Sequence, residues 1–145
     1  MTVQRSSGRP GGGGRRAQGD GGAALVEFAL VLPFLAILVF GTVDLGRAYQ
    51  LRNRLTNAAR EGGFYGQFHP CDDAGVAAAT GLEDPTITSE PGYVVVSTVS
   101  GCPSNPTGEL KVSASADMDI LTPLVSAITG PEVTVTGEIT VAVQG

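Results

Sequence analysis

The chain has one histidine, no tryptophan and two cysteines in 145 residues. A histidine-based metal cluster is therefore excluded, and a catalytic dyad would have to use His69, beside Pro70 in a loop. Charged residues make up only 16%, against the roughly 25% of an ordinary soluble domain. Basic residues are the scarcer sign, nine against fourteen acids for a net charge of −5. That balance argues against a nucleic-acid partner, which calls for a basic face. No nucleophile–histidine–acid set stands out, so the composition disfavours an enzyme, and neither a cofactor nor a small-molecule substrate is expected. The acidic pairs Asp72-Asp73, Glu83-Asp84 and Asp117/Asp119 lack the twelve-residue loop spacing of a calcium site, and no metal is expected. Asn105-Pro106-Thr107 is no glycosylation acceptor, because proline occupies its middle position.

Glycine is plentiful, with 21 residues, and the charge is unevenly placed. Residues 1–22 hold Arg5, Arg9, Arg15, Arg16 and Asp20, a net of +3, and the remaining residues carry −8. This basic, glycine-rich head has almost nothing to bury against the entropy of ordering and reads as a solvated leader. Its Gly11–Gly14 run lacks the Gly-Lys-Ser/Thr ending of a phosphate loop.

Residues 23–43, AALVEFALVLPFLAILVFGTV, contain one charge, Glu27. At about 1.5 Å per residue the run spans about 30 Å, the hydrocarbon thickness of a bilayer. The rest of the chain offers too little apolar surface to surround it as a buried core helix. It is too long for a signal-peptide core and has no A-x-A cleavage site at its end. Pro33 frees the carbonyl of Ala29, which a transmembrane helix tolerates as a kink.

The helix is expected to continue past the membrane. From Asp44 to Arg60 there is no proline, and Leu45, Ala48, Leu51 or Arg52, Leu55, and Ala58 or Ala59 recur every three or four residues. Asp44 and Arg47, at i, i+3, can pair at the membrane edge. Tyr49 lies near the expected headgroup level. Gly62-Gly63 supplies a stop, giving one helix of about 40 residues.

Beyond Gly63 the pattern changes. Residues 64–92 are loop-like with a short helix around Ala74–Thr80. Tyr93–Val99, Leu110–Ala116 and Val133–Val143 read as strands, the last two with alternating apolar and polar residues. Gly101–Gly108 is a turn region, and Asp119–Thr129 a short apolar helix or loop. The expected fold is α+β: a long N-terminal transmembrane helix followed by a small antiparallel sheet that leans on the stripe at Leu45–Ala59. The expected segments are 1–22 leader, 23–43 transmembrane helix, 44–62 amphipathic extension and 63–145 extracytoplasmic β-rich domain. Arginine counts on the two sides of the span are nearly equal and do not orient it. Cys71 and Cys102, one in each of two loops, are expected to form a disulfide if the body lies outside the cytoplasm; free exposed thiols are the alternative.

The informative stretch is Gly22-Ala23-Ala24-Leu25-Val26-Glu27-Phe28. A glycine closes the basic leader, an apolar helix starts at once, and an acid stands at the fifth position after the glycine. A carboxylate in a membrane span needs a reason. This pattern resembles a type IV prepilin, and most of all the Flp/Tad branch. ALVEFALVLPFLAILVFGTVDLGRAY followed by NAAREGG resembles the TadE-like family of pilus-assembly pseudopilins over residues 22–63, and TVTGEITVAVQG is similar to that family's ending. The resemblance implies a cut between Gly22 and Ala23 by a membrane prepilin peptidase on the cytoplasmic side. It implies that Glu27 and Phe28 act in helix assembly, Glu27 as counter-ion to the new Ala23 amine of the same or an adjacent subunit. Phe28, where major pilins more usually have Tyr, and the sizeable body both depart from a major pilin. The implied partners are the membrane, other pilin-like subunits and the peptidase; the implied place is the bacterial inner membrane, N-terminus inside, or a surface pilus. The alternative is an uncleaved single-pass membrane protein with an extracellular binding domain.

Overall fold

The structure is a computed structural model and describes residues 20–102 and 107–143. The leader arginines Arg5, Arg9, Arg15 and Arg16, and the middle of the Gly101–Gly108 turn, lie outside the described residues. The chain divides into two compact units, Met1–Leu35 and Ala36–Gly145.

The first unit is described from Asp20 onward and is helical throughout, as the opening part of α1 (Asp20–Phe68). Its leucines, valines and phenylalanines are exposed. Among its described residues nothing covers Leu25, which is 70% exposed. The run of Ala, Leu, Val and Phe favours helix because every backbone polar group is then satisfied within the segment, which is what a hydrocarbon solvent demands. Pro33 lies inside the helix.

The second unit is α+β. The remainder of α1 is followed by α2 (Asp73–Glu83), a 3₁₀ turn (Ile87–Ser89), β1 (Val94–Ser100), β2 (Thr107–Asp119), α3 (Pro123–Thr129) and β3 (Glu132–Ala142). The strands form an antiparallel sheet in the order β1-β2-β3. Val96 lies opposite Ser113, and Val112 opposite Ile139. Alternation sends Leu110, Val112, Ala114, Ala116 and Met118 of β2 to one buried face, as the period of two requires. Val135, Ile139 and Val141 of β3 join that face. Leu51, Leu55, Ala58 and Ala59 of α1 complete the core against it.

Small residues let the helix approach the sheet. Ala114 of β2 pairs with Gly137 of β3. A Cβ placed on Gly137 would lie 2.6 Å from the carbonyl carbon of Leu55 and 2.8 Å from the Cα of Thr56, so the α1 backbone rests directly on this glycine.

Three expectations need correction. The helix does not stop at Gly62-Gly63 but runs on to Phe68. Those glycines are contact residues: a Cβ on Gly62 would lie 3.1 Å from the Val76 carbonyl oxygen of α2, and one on Gly63 would lie 3.4 Å from Val141 of β3. Close packing, not helix termination, accounts for them. The helix begins at Asp20, a few residues before the expected Ala23. Leu45 does not join the buried stripe and is 71% exposed. The stripe position on that turn is Asp44, seven residues before Leu51 and so on the same helical face, with Leu45 turned about 100° away.

The short helix near Ala74–Thr80 is present and longer, as α2. Asp72 caps it, accepting a hydrogen bond from the Gly75 amide at 2.9 Å. The Asp119–Thr129 segment contains α3, with Pro123 in its first turn, where a missing N–H costs nothing. Cys71 and Cys102 are disulfide-bonded, with Cα atoms 5.5 Å apart. The bridge ties the α1–α2 turn to the β1–β2 turn across 31 residues.

Candidate functional site: the apolar helix and its exit turn

The residues singled out in the sequence fall into two groups, and the structure adds a third. Gly22, Ala23, Glu27 and Phe28 lie along the exposed first part of α1. Ala23 and Glu27 are one helical turn apart, on one face. Space around Gly22 is open. The Gly22–Ala23 peptide bond is helical, so a protease acting there would have to unwind the first turn of α1.

The second group lies in the second unit, where the apolar run ends. Asp44 is 8% exposed, and a buried carboxylate is costly without hydrogen-bond partners. Three donors meet it: the Leu121 amide at 3.1 Å, the Thr122 amide at 2.9 Å and the Thr122 hydroxyl at 2.7 Å. Arg47 lies 3.6 Å from Asp44, and its guanidinium donates to the Asp119 carbonyl at 2.9 Å. The pair thus clamps residues 119–122 onto the first helical turn after Val43. The i, i+3 spacing made the Asp44–Arg47 pairing legible, but Thr122, 78 residues away, carried no signal.

The third group surrounds Arg54, which the sequence places off the buried stripe. Its guanidinium donates to Asp84 at 2.7 Å, to Glu90 at 2.9 Å and to the Thr86 hydroxyl at 2.7 Å. Arg54 thereby fastens the segment between α2 and β1 to α1. The Arg54 guanidinium, and then the Thr86 hydroxyl, hold the Asp84 carboxyl down at about 2, against an ordinary 3.8. In the sequence Asp84 stood out only as part of the acidic pair Glu83-Asp84, with nothing to join it to Arg54.

None of these groups assembles reactive chemistry. The His69 ring stacks on Tyr65 with centroids 4.6 Å apart. The Tyr65 hydroxyl donates to Asp72 at 2.7 Å. A cleft of about 240 Å³ beside α1 is lined by Arg47, Arg54, Glu90, Asp117 and Asp119 among others. It mixes both charge signs and holds no nucleophile or imidazole. Among the described residues, no three His, Cys, Asp or Glu side chains are grouped to hold a metal ion.

What sets the chain apart is a helix long and apolar enough to cross a membrane, carrying Glu27 near its start and a pinned acid, Asp44, just after its apolar run. That same stretch is where a family likeness falls. Residues 22–63 match the TadE-like protein family. The TadE-like segment thus takes in the whole apolar run, Glu27, the Asp44–Arg47 turn and most of the buried stripe, and it ends within α1. No curated protein and no solved structure matches the chain. The TadE-like segment and the long apolar helix together fit a membrane protein associated with a Tad pilus.

Proposed function

We propose that this protein is a minor pilin or pseudopilin of a bacterial Flp/tight-adherence pilus assembly system, trimmed by a prepilin peptidase between Gly22 and Ala23. The observation that carries the reading is the TadE-like match on residues 22–63, laid over an exposed apolar helix with Glu27 one turn from Ala23. The role is structural: the chain is the substrate of an enzyme, not one itself. After the cut, the new Ala23 amine would sit beside hydrocarbon and need a counter-ion, and Glu27 of the same or a neighbouring subunit supplies it. The Cys71–Cys102 bridge supports an extracytoplasmic body, because disulfides persist in oxidising compartments. The leader then faces the cytoplasm, where the peptidase acts, and the apolar helix serves for association with other pilin-like helices in the inner membrane.

N-terminal sequencing of the protein extracted from membranes of cells that hold the peptidase tests the reading. A mature start at Ala23 is the expected result. Retention of Met1 would overturn it in favour of an uncleaved single-pass protein with an external binding domain.

A further inference from the structure

The short helix α3 is an anomaly in the second unit. None of its residues is buried. Leu124 is 52% and Ile128 80% exposed, and their spacing of four residues puts them on one face of α3; Leu121, 55% exposed, lies two residues before the helix. In water such a face would be a liability, and no described residue of the unit buries it.

The position of this face identifies its occupant. Asp44 holds the amides of Leu121 and Thr122, and Arg47 holds the Asp119 carbonyl. Both clamps lie on the first turn of α1 after the apolar run, whose exposed Phe40 and Val43 belong to the same unit. The apolar face of α3 therefore starts at the level where α1 leaves its apolar stretch. At about 1.5 Å per residue, α3 is about 10 Å long, within the depth of a bilayer's interfacial zone. No Lys or Arg occurs between residues 119 and 132, so charge attraction to lipid headgroups is not what the segment is built for.

We infer that α3 is a second membrane contact, with Leu121, Leu124 and Ile128 seated in the acyl boundary of the leaflet from which α1 emerges. The inference rests on the membrane anchoring of α1. Asp44 is then a positioning residue: it holds the loop that carries this face down at the bilayer surface. The body is fastened to the membrane at two points instead of swinging on one helix.

The chain lacks tryptophan, so a single introduced indole reports without background. Full-length Leu124→Trp, with Ile128→Trp as a second reporter, is reconstituted into phosphatidylethanolamine/phosphatidylglycerol vesicles containing acyl-brominated lipid. Phe40→Trp marks the anchor. Thr140→Trp, eight residues along β3 from Glu132 and so about 27 Å away along the strand, marks the solvent. The expected result is quenching at 124 and 128 of at least a third of that at 40, none at 140, and no loss in about 0.5 M salt, where charge attraction is screened. Quenching at 40 with none at 124 and 128 would overturn the inference and leave the anchor standing. A blue-shifted but unquenched emission at 124 that fades on dilution would replace the lipid by a second copy of the chain. Quenching that salt abolishes would make the contact electrostatic and the inference wrong. No quenching at 40 would remove the anchor, and the inference with it.

Discussion

One helix, α1, has two stretches of different surface. Between Gly22 and Val43 its large apolar side chains are exposed, whereas between Ala48 and Gly66 it shows a narrow stripe of small and medium residues pressed on a sheet. The glycines mark the difference. A Cβ on Gly22, Gly41 or Gly46 would meet nothing within 4 Å, but one on Gly62 or Gly66 would strike Thr80 of α2 or Leu110 of the sheet, and one on Gly63 would touch Val141. The same residue type is thus a neutral element in the first stretch and a condition of packing in the second. Periodicity distinguishes a membrane face from a core face only when paired with residue size: lipid accepts large side chains all round, while a thin sheet requires the backbone to come close.

The contrast can be broken most forcefully by making one substitution in both stretches. Leu55→Ala, at a fully buried site, is expected to destabilise the second unit by about 2–5 kcal/mol through lost burial and a residual cavity. Leu38→Ala, exposed on the apolar run, should move the thermal transition of that unit by less than about 0.5 kcal/mol. Equal effects in melts of the detergent-solubilised protein would mean that the two stretches do not differ in the way described.

Next in size is the disulfide. Opening the Cys71–Cys102 loop with Cys71→Ser/Cys102→Ser should cost about 3–4 kcal/mol on the chain-entropy account. Vesicle flotation should be unchanged, because the apolar run has no part in the bridge. Loss of flotation on removing the bridge would show that the anchor depends on the folded body.

A smaller effect separates the glycines. Gly137→Ala places a methyl against the Leu55–Thr56 backbone and should destabilise by about 1–3 kcal/mol. Gly46→Ala, in open space within α1, should stabilise by roughly 0.5–1 kcal/mol through helix propensity. Opposite signs in denaturant midpoints are the expected outcome.

The smallest is a pH effect. Asp84 has a folded-state carboxyl near 2, below the ordinary 3.8. The stability it contributes is therefore fully present above about pH 4 and is lost as pH falls from there toward 2. The Arg54–Asp84 pair is partly exposed, so the loss should be about 1 kcal/mol or less. Melting curves of the parent and Asp84→Asn should differ at pH 6 and converge near pH 2. Curves that stay parallel down to pH 2 would assign the Arg54 clamp to Glu90 and Thr86 alone.

Much of this molecule was legible in its residues because the signals are local. The apolar run and the alternation through Leu110–Ala116 and Val133–Val143 each lie within one segment and follow from its periodicity. So did the existence of α2 and the pairing of Asp44 with Arg47, an i, i+3 neighbour. What went unread joins residues far apart. Gly62-Gly63 carries the signature of a helix end, and only the presence of Val76 and Val141 against it turns it into a contact. Leu45 was the apolar choice for its turn, yet the tertiary fold buries Asp44 there, because three donors from residues 121 and 122 offset the cost of removing a carboxylate from water. Arg54 carried no signal, because its partners Asp84, Thr86 and Glu90 lie 30, 32 and 36 residues away. The sequence by itself determined that there would be a membrane-length helix, a small sheet and a bridgeable cysteine pair, since period, length and residue class are properties of a segment. Only the tertiary structure decided which glycines of α1 serve as contacts and which acid is buried. Those choices depend on donors, acceptors and free volume supplied by segments tens of residues away, which no local pattern encodes.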